Sequence, residues 1–289
     1  MRVPSVEYNR TRQIMLSAGL SKSIPFEVSI SRNAPIPIQQ AERIIAAVTQ
    51  RLSRSPFNSF IGAKPINIKF VTSEEMDKLG YTDLFRRGAN NNYSAPELAN
   101  KMSPSGAYDP LKDTVFVNCR SLDRPKKYLE VLTHEFLHAY STEITEIEPG
   151  IISLRSGLRT SIIDKANKRE LRKSGEYLNE GLTEYLRILA GDGPTFGVYV
   201  PLVEAIGIVA QQVGIDLLMK AYFKEGPTLL ERAFDGIHGA KAYLELSSLA
   251  HTVGTRNSIR AEARNGEDLA GFVRYGFEYY IMKEWNTQR

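Results

Sequence analysis

Apolar residues recur along the chain with two different periods, and the changes of period mark its elements. Ile38, Ala41, Ile44, Ile45, Val48 and Leu52 fall three to four apart, the stripe of an amphipathic helix that ends before the turn region at 53–59. Ile66–Val71 alternates as a strand, and Ser73 then reads as the N-cap of a short helix stopping at Gly80. Residues 81–110, rich in Asn, Gly, Ser and Pro, read as surface loops. Thr114–Asn118 is a short apolar strand, and Asp123 with Pro125 opens a helix that runs through residue 140. Residues 151–158 read as a further strand, 165–173 as an exposed basic linker, and 176–190 as a helix. From Pro201 onward the spacing is helical, over 202–223, 228–234, 240–250 and 268–283.

Residues 1–33 show no sustained period and read as a peripheral arm. The pattern therefore predicts an α+β chain of three parts: the arm at 1–33, an α/β lobe at 34–175 and a mostly helical lobe at 176–289.

Composition narrows the class without changing that outline. With 289 residues, 42% hydrophobic and 24% charged, the chain can bury a full core and has neither a fibrous nor a disordered signature. A net charge of +4 spread over this length is a solvated mixed surface, and no nucleic-acid module accompanies it, so nucleic acid is not an expected partner. The single cysteine, Cys119, excludes an internal disulfide and a cysteine-rich zinc knuckle, and fits a reducing compartment. Arg10 and Arg12 stand where a secretory signal would be apolar, so the expected location is the cytoplasm, or outside it by export without a standard signal peptide. The most apolar window, 198–210, contains Pro201 and Glu204 and is too short for a bilayer, so no membrane span is expected.

The chemistry concentrates in Val131–Tyr140, VLTHEFLHAY. At about 100° per residue, His134 and His138 project from one helix face a turn apart, close enough to share one ion, with Glu135 at the edge of that face. Leu129, Leu132, Phe136 and Tyr140 fall opposite and would anchor the helix in a core. In this H-E-x-x-H pattern two imidazoles hold zinc and the glutamate handles the proton of the attacking water. A catalytic zinc takes a third protein ligand. In 176–186, EYLNEGLTEYL, Glu180 and Glu184 share a helical face while Leu178, Leu182, Tyr185 and Leu189 supply apolar contacts. His238 and His251 are rival third ligands, but neither has metal-like spacing with another ligand.

H-E-x-x-H followed by N-E-x-x-x-E at 179–184 resembles the gluzincin zinc peptidases, which include thermolysin-type endopeptidases and zinc aminopeptidases. The resemblance implies a zincin-like fold, a small mixed sheet packed on the active-site helix. It also implies Zn2+ held by His134, His138 and Glu180, with Glu135 as general base and Glu184 accepting an imidazole N–H, that of His134. The stretch between His138 and Glu180 is longer than in either branch of that pattern. No G-x-M-E-N segment is present, which favours an endopeptidase acting on protein or peptide over an aminopeptidase.

The substrate would lie extended along a strand edge, for which Thr114–Asn118 is the candidate unless it is an interior strand. Tyr177, His251, Arg274 and Tyr275 are open choices for a second oxyanion donor. A delivered toxin or effector protease and a housekeeping enzyme fit equally. The competing class is a non-catalytic binding or scaffold protein stabilised by zinc.

Overall fold

The structure is a computed structural model that describes residues 8–16, 24–62, 64–79, 105–119, 125–167, 169–191, 193, 199–248 and 250–251. It is a mixed α+β chain that divides into two compact units. The first runs to Tyr140 and takes in Leu189–Asp192; the second comprises Ser141–Ile188 and the chain from Gly193 on. The division falls inside the stretch that the sequence pattern assigned to a single α/β lobe.

The first unit is built on a small mixed sheet of β1 (Tyr8–Leu16), β2 (Ile24–Ser31), β3 (Ile66–Val71), β4 (Gly106–Asp109) and β5 (Thr114–Asn118). Its order is β1-β2-β3-β5-β4; β2, β3 and β5 are parallel, while the outer strands β1 and β4 run antiparallel to their neighbours. The three parallel strands are buried, as sheets with both faces covered require: Phe26, Val28 and Ile30 on β2, Ile66, Ile68 and Phe70 on β3, and all of β5. Helix α1 (Ile38–Ser53) buries the apolar stripe read from its spacing, from Ile38 through Leu52. Helix α2 (Ser73–Lys78) is capped by Thr72, one residue before the cap expected. The Thr72 hydroxyl accepts from the Glu75 N–H, and the Glu75 carboxylate accepts from the Thr72 N–H at 2.8 Å. Ser73 instead donates to Asn118 Oδ1 at 3.1 Å, joining α2 to β5.

Two expectations are corrected here. Residues 8–16 and 24–31, inside the expected arm, are strands, and β2 lies within the core; its apolar side chains pair with a strand some forty residues away, which no local period reveals. Of the two readings open for Thr114–Asn118 the interior strand holds, and among the described residues the sheet ends at β4, inside the stretch read as loops. The rest of that stretch, 80–104, lies outside the described residues, as does the expected helix at 268–283.

Helix α3 (Pro125–Ser141) carries the H-E-x-x-H residues and runs directly into the second unit's sheet, an antiparallel meander. Its strands are β6 (Thr142–Glu148), β7 (Ile151–Ser156), β8 (Arg159–Asp164) and β9 (Arg169–Ser174), in that order. Ile152, Leu154 and Ile163 form its apolar cluster, whereas β9 is exposed throughout. Most of the expected basic linker is thus a strand, held by backbone pairing to β8 and not by an apolar face. Helices α4 (Glu176–Leu189), α5 (Val200–Val213), α6 (Ile215–Lys220) and α7 (Pro227–His238) follow, with a π-helical turn at Ala221–Glu225 closed by Gly226 N–H to Ala221 O at 2.8 Å. No single described helix is long and apolar enough to cross a membrane; Leu202–Val213 and Ile215–Glu225 reach that length and composition only as a pair bent by 113°.

Candidate metal centre

The back of α3 is dry. Leu132, Phe136, Leu137 and Ala139 are fully buried, and Phe136 stacks on Phe26 of β2 with ring centroids 5.6 Å apart and planes within 15°. Tyr140 meets Phe136 edge-on at 6.3 Å, and burial raises its hydroxyl above the ordinary tyrosine range. This anchoring fixes the rotation of the helix and turns the opposite face toward the candidate chemistry.

On that face the Nε2 atoms of His134 and His138 stand 3.1 Å apart, their ring centroids 4.8 Å apart and their planes at 72°. Two imidazole nitrogens at the corners of a zinc tetrahedron, each about 2.0–2.1 Å from the ion, lie about 3.3 Å from one another. The pair therefore converges as two ligands of one ion would. His138 is 8% exposed and Glu135 is 9% exposed, so both sit where water is scarce. Glu135 packs beside the backbone of β4: a Cβ on Gly106 would come within 3.1 Å of Glu135 Cγ, 3.3 Å of its Oε1 and 2.4 Å of Val131 Cγ1. Glycine at 106 is what allows the end strand to approach this carboxylate.

Helix α4 buries Leu178, Leu182 and Leu186, but its position is set by polar atoms. Asn179 Oδ1 accepts from the Leu158 N–H at 2.9 Å in the turn between β7 and β8. Gly157, at φ 59°, makes room for that contact: a Cβ there would stand 2.2 Å from Asn179 Oδ1 and 2.4 Å from the Tyr222 ring. One turn on, Thr183 Oγ1 donates to Asn179 O at 2.8 Å and lies 2.7 Å from the Tyr222 hydroxyl. These bonds flank Glu180, which is half-buried. His134, His138 and Glu180 offer ligand atoms that all lie within 4.8 Å of one another.

Glu184 is buried in a two-pronged ion pair, accepting from Arg187 Nε and Nη2 at 2.9 Å each. Arg187 also donates to Gly193 O at 3.3 Å. The partner expected for Glu184 is an imidazole; the structure adds Arg187, whose local signal in the sequence is the acid–base spacing of three residues on one helix. A carboxylate has about four acceptor sites, so the arginine pair leaves Glu184 able to accept from a further donor.

The remaining histidines are otherwise engaged. His238 Nε2 stands 2.8 Å from Gln212 Oε1 and its ring rests on Phe234; burial lowers its pKa. His251 meets Tyr177 edge-on, with centroids 5.4 Å apart. Two of the residues considered as oxyanion donors are thus neighbours, while Arg274 and Tyr275 lie outside the described residues.

Chemically, two neutral imidazoles and one carboxylate form a donor set for a borderline divalent ion, and zinc fits it. Glu135 adds a carboxylate beside, but not within, that set. Comparison with protein-family models, with curated proteins and with solved structures gives no significant match.

Proposed function

We propose that the chain is a zinc metallopeptidase of the gluzincin type with a zincin-like fold, hydrolysing internal peptide bonds. The observation that carries this reading is the 3.1 Å approach of the His134 and His138 Nε2 atoms on the buried-back helix that also presents Glu135.

His134, His138 and Glu180 would hold the ion. Bound zinc supplies a Lewis acid that acidifies water and draws charge from a scissile carbonyl. Glu135 accepts the proton of the attacking water and delivers it to the departing amine. Asn179 and Thr183 orient α4 and with it Glu180, while Glu184 fixes an imidazole tautomer as an outer carboxylate does.

The peptide lies extended along β4. This strand ends the sheet among the described residues, and Gly106 brings its backbone against Glu135.

Metal analysis combined with cleavage of an unstructured protein substrate tests the reading. Wild type and Glu135→Gln should each bind about one zinc per chain, with hydrolysis lost in the variant by about a thousandfold or more, and His138→Ala should lose the metal. Zinc without hydrolysis in the wild type would favour the zinc-stabilised scaffold. Undiminished hydrolysis by Glu135→Gln would remove the assigned mechanism.

A further inference from the structure

Strand β4 has one neighbour among the described residues, and its alternation fixes which of its backbone groups face outward. Asn118 N–H donates to Ser105 O at 3.0 Å, so the pair 105/118 is hydrogen-bonded. In the register Gly106↔Val117, Ala107↔Phe116, Tyr108↔Val115, Asp109↔Thr114, the bonding residues toward β5 are Ala107 and Asp109. Gly106 and Tyr108 therefore turn their N–H and C=O groups away from β5. The same two residues face α3: Gly106 lies on Val131 and Glu135, and Tyr108 reaches Lys64.

Lys64 joins three segments. Its ammonium stands 2.8 Å from Asp113 Oδ1 and donates to the Tyr108 hydroxyl and to Ala139 O, each at 3.3 Å. The Tyr108 hydroxyl in turn donates to Asp113 Oδ1 at 2.7 Å. Asp113 adopts φ 47° in the turn that joins β4 to β5, so the acceptor is held by a backbone in the left-handed region. Ala139 O belongs to the last turn of α3, where carbonyls lack helical partners and a cation is favoured. A single side chain thus binds the end strand, its turn and the terminus of the helix that carries His134, Glu135 and His138.

We infer that Lys64 is a positioning residue: it holds β4 on the end of α3 and so keeps the backbone of Gly106, where the proposed peptide lies, beside Glu135. The peptide part rests on the metallopeptidase reading; the clamp does not. Lys64 touches no reacting atom in this scheme. Its loss therefore weakens the binding of ground state and transition state alike.

Two measurements on zinc-loaded full-length protein test this. The first is hydrogen exchange of the Ala107 and Asp109 amides, which pair with β5, compared with those of β3. Lys64→Met should speed exchange in β4 about tenfold or more with β3 unchanged, Tyr108→Phe should do so to a smaller degree, and Lys64→Arg should restore protection. The second is steady-state hydrolysis of a long peptide. Lys64→Met should raise KM about tenfold with kcat within about threefold, and Lys64→Arg should bring KM most of the way back.

Unchanged β4 exchange in both Lys64→Met and Tyr108→Phe would overturn the clamp. Lost protection with an unchanged KM would overturn its role in substrate binding. If Lys64→Met does not fold, Tyr108→Phe decides, because it keeps the bonds of Lys64 to Asp113 and Ala139. A wild type that binds zinc but cleaves nothing sinks the peptidase reading, and with it the peptide role, while the exchange data still decide the clamp.

Discussion

Helices α3 and α4 each present candidate site residues at four-residue spacing, yet opposite chemistries hold them in place. Behind His134 and His138 lies a continuous apolar surface, with Phe136 stacked on Phe26 and Leu132 without exposure. Around Glu180 the fixing contacts are single polar atoms: Asn179 Oδ1 on the Leu158 N–H, and Thr183 Oγ1 beside the Tyr222 hydroxyl. Apolar burial spreads stabilisation over many weak contacts and tolerates a change of shape. A buried hydrogen bond concentrates it in one direction and leaves an uncompensated group when broken. Two ligands of a proposed single site thus depend on side-chain volume, and the third depends on orientation.

Substitutions that separate volume from direction sharpen this contrast. The largest effect expected is that of Phe136→Ala, which empties a fully buried aromatic site and should destabilise the protein by about 3–5 kcal/mol in urea unfolding. A loss below about 1 kcal/mol would show that the back of α3 is not packed as described. Asn179→Leu keeps the branching of the side chain but removes the acceptor of the Leu158 N–H, and about 1–3 kcal/mol should be lost. Should that substitution prove neutral, α4 is held by packing after all, and the contrast between the helices disappears.

The smallest effect concerns the dryness of the first unit's core. Burial, with a lesser contribution from the Glu75 charge, pushes the Cys119 thiol up to about 12 from an ordinary 9.0. A raised folded-state value means that the thiol's contribution is intact below pH 9.0. It declines as the pH climbs, because the unfolded chain ionises first, and it is gone above about 12. Native protein at pH 8 should resist alkylation for as long as it stays folded, and prompt labelling would show that water reaches this core.

The two helices were legible because their information is local. The phase of His134 against Leu132 and Phe136 follows from helical geometry alone, and so does the shared face of Glu180 and Glu184. What holds them was not legible, since Asn179 meets Leu158, and Gly106 meets Glu135, across segments whose pairing no short window contains. Strand β2 escaped for a similar reason: Phe26, Val28 and Ile30 alternate for only a few residues after Pro25, and the strand is completed by parallel pairing with β3. Strand β9 escaped because Arg169, Glu170, Arg172 and Lys173 carry no apolar alternation at all. Its hydrogen bonds to β8 make it a strand, and its charges line the end of this sheet among the described residues. Strand β4 is four residues long, below the length at which alternation can be told from chance.

The turn at Ala221–Glu225 holds one residue more than an α-helical turn would. Helical phase advances about 100° per residue, so the loss of a single codon here would let the segment regularise while swinging the Tyr222 phenol around the axis. Backbone regularity and the grip on Thr183 are therefore set against each other at this one place. Natural variants of the chain should keep the number of residues in this turn more strictly than their identities.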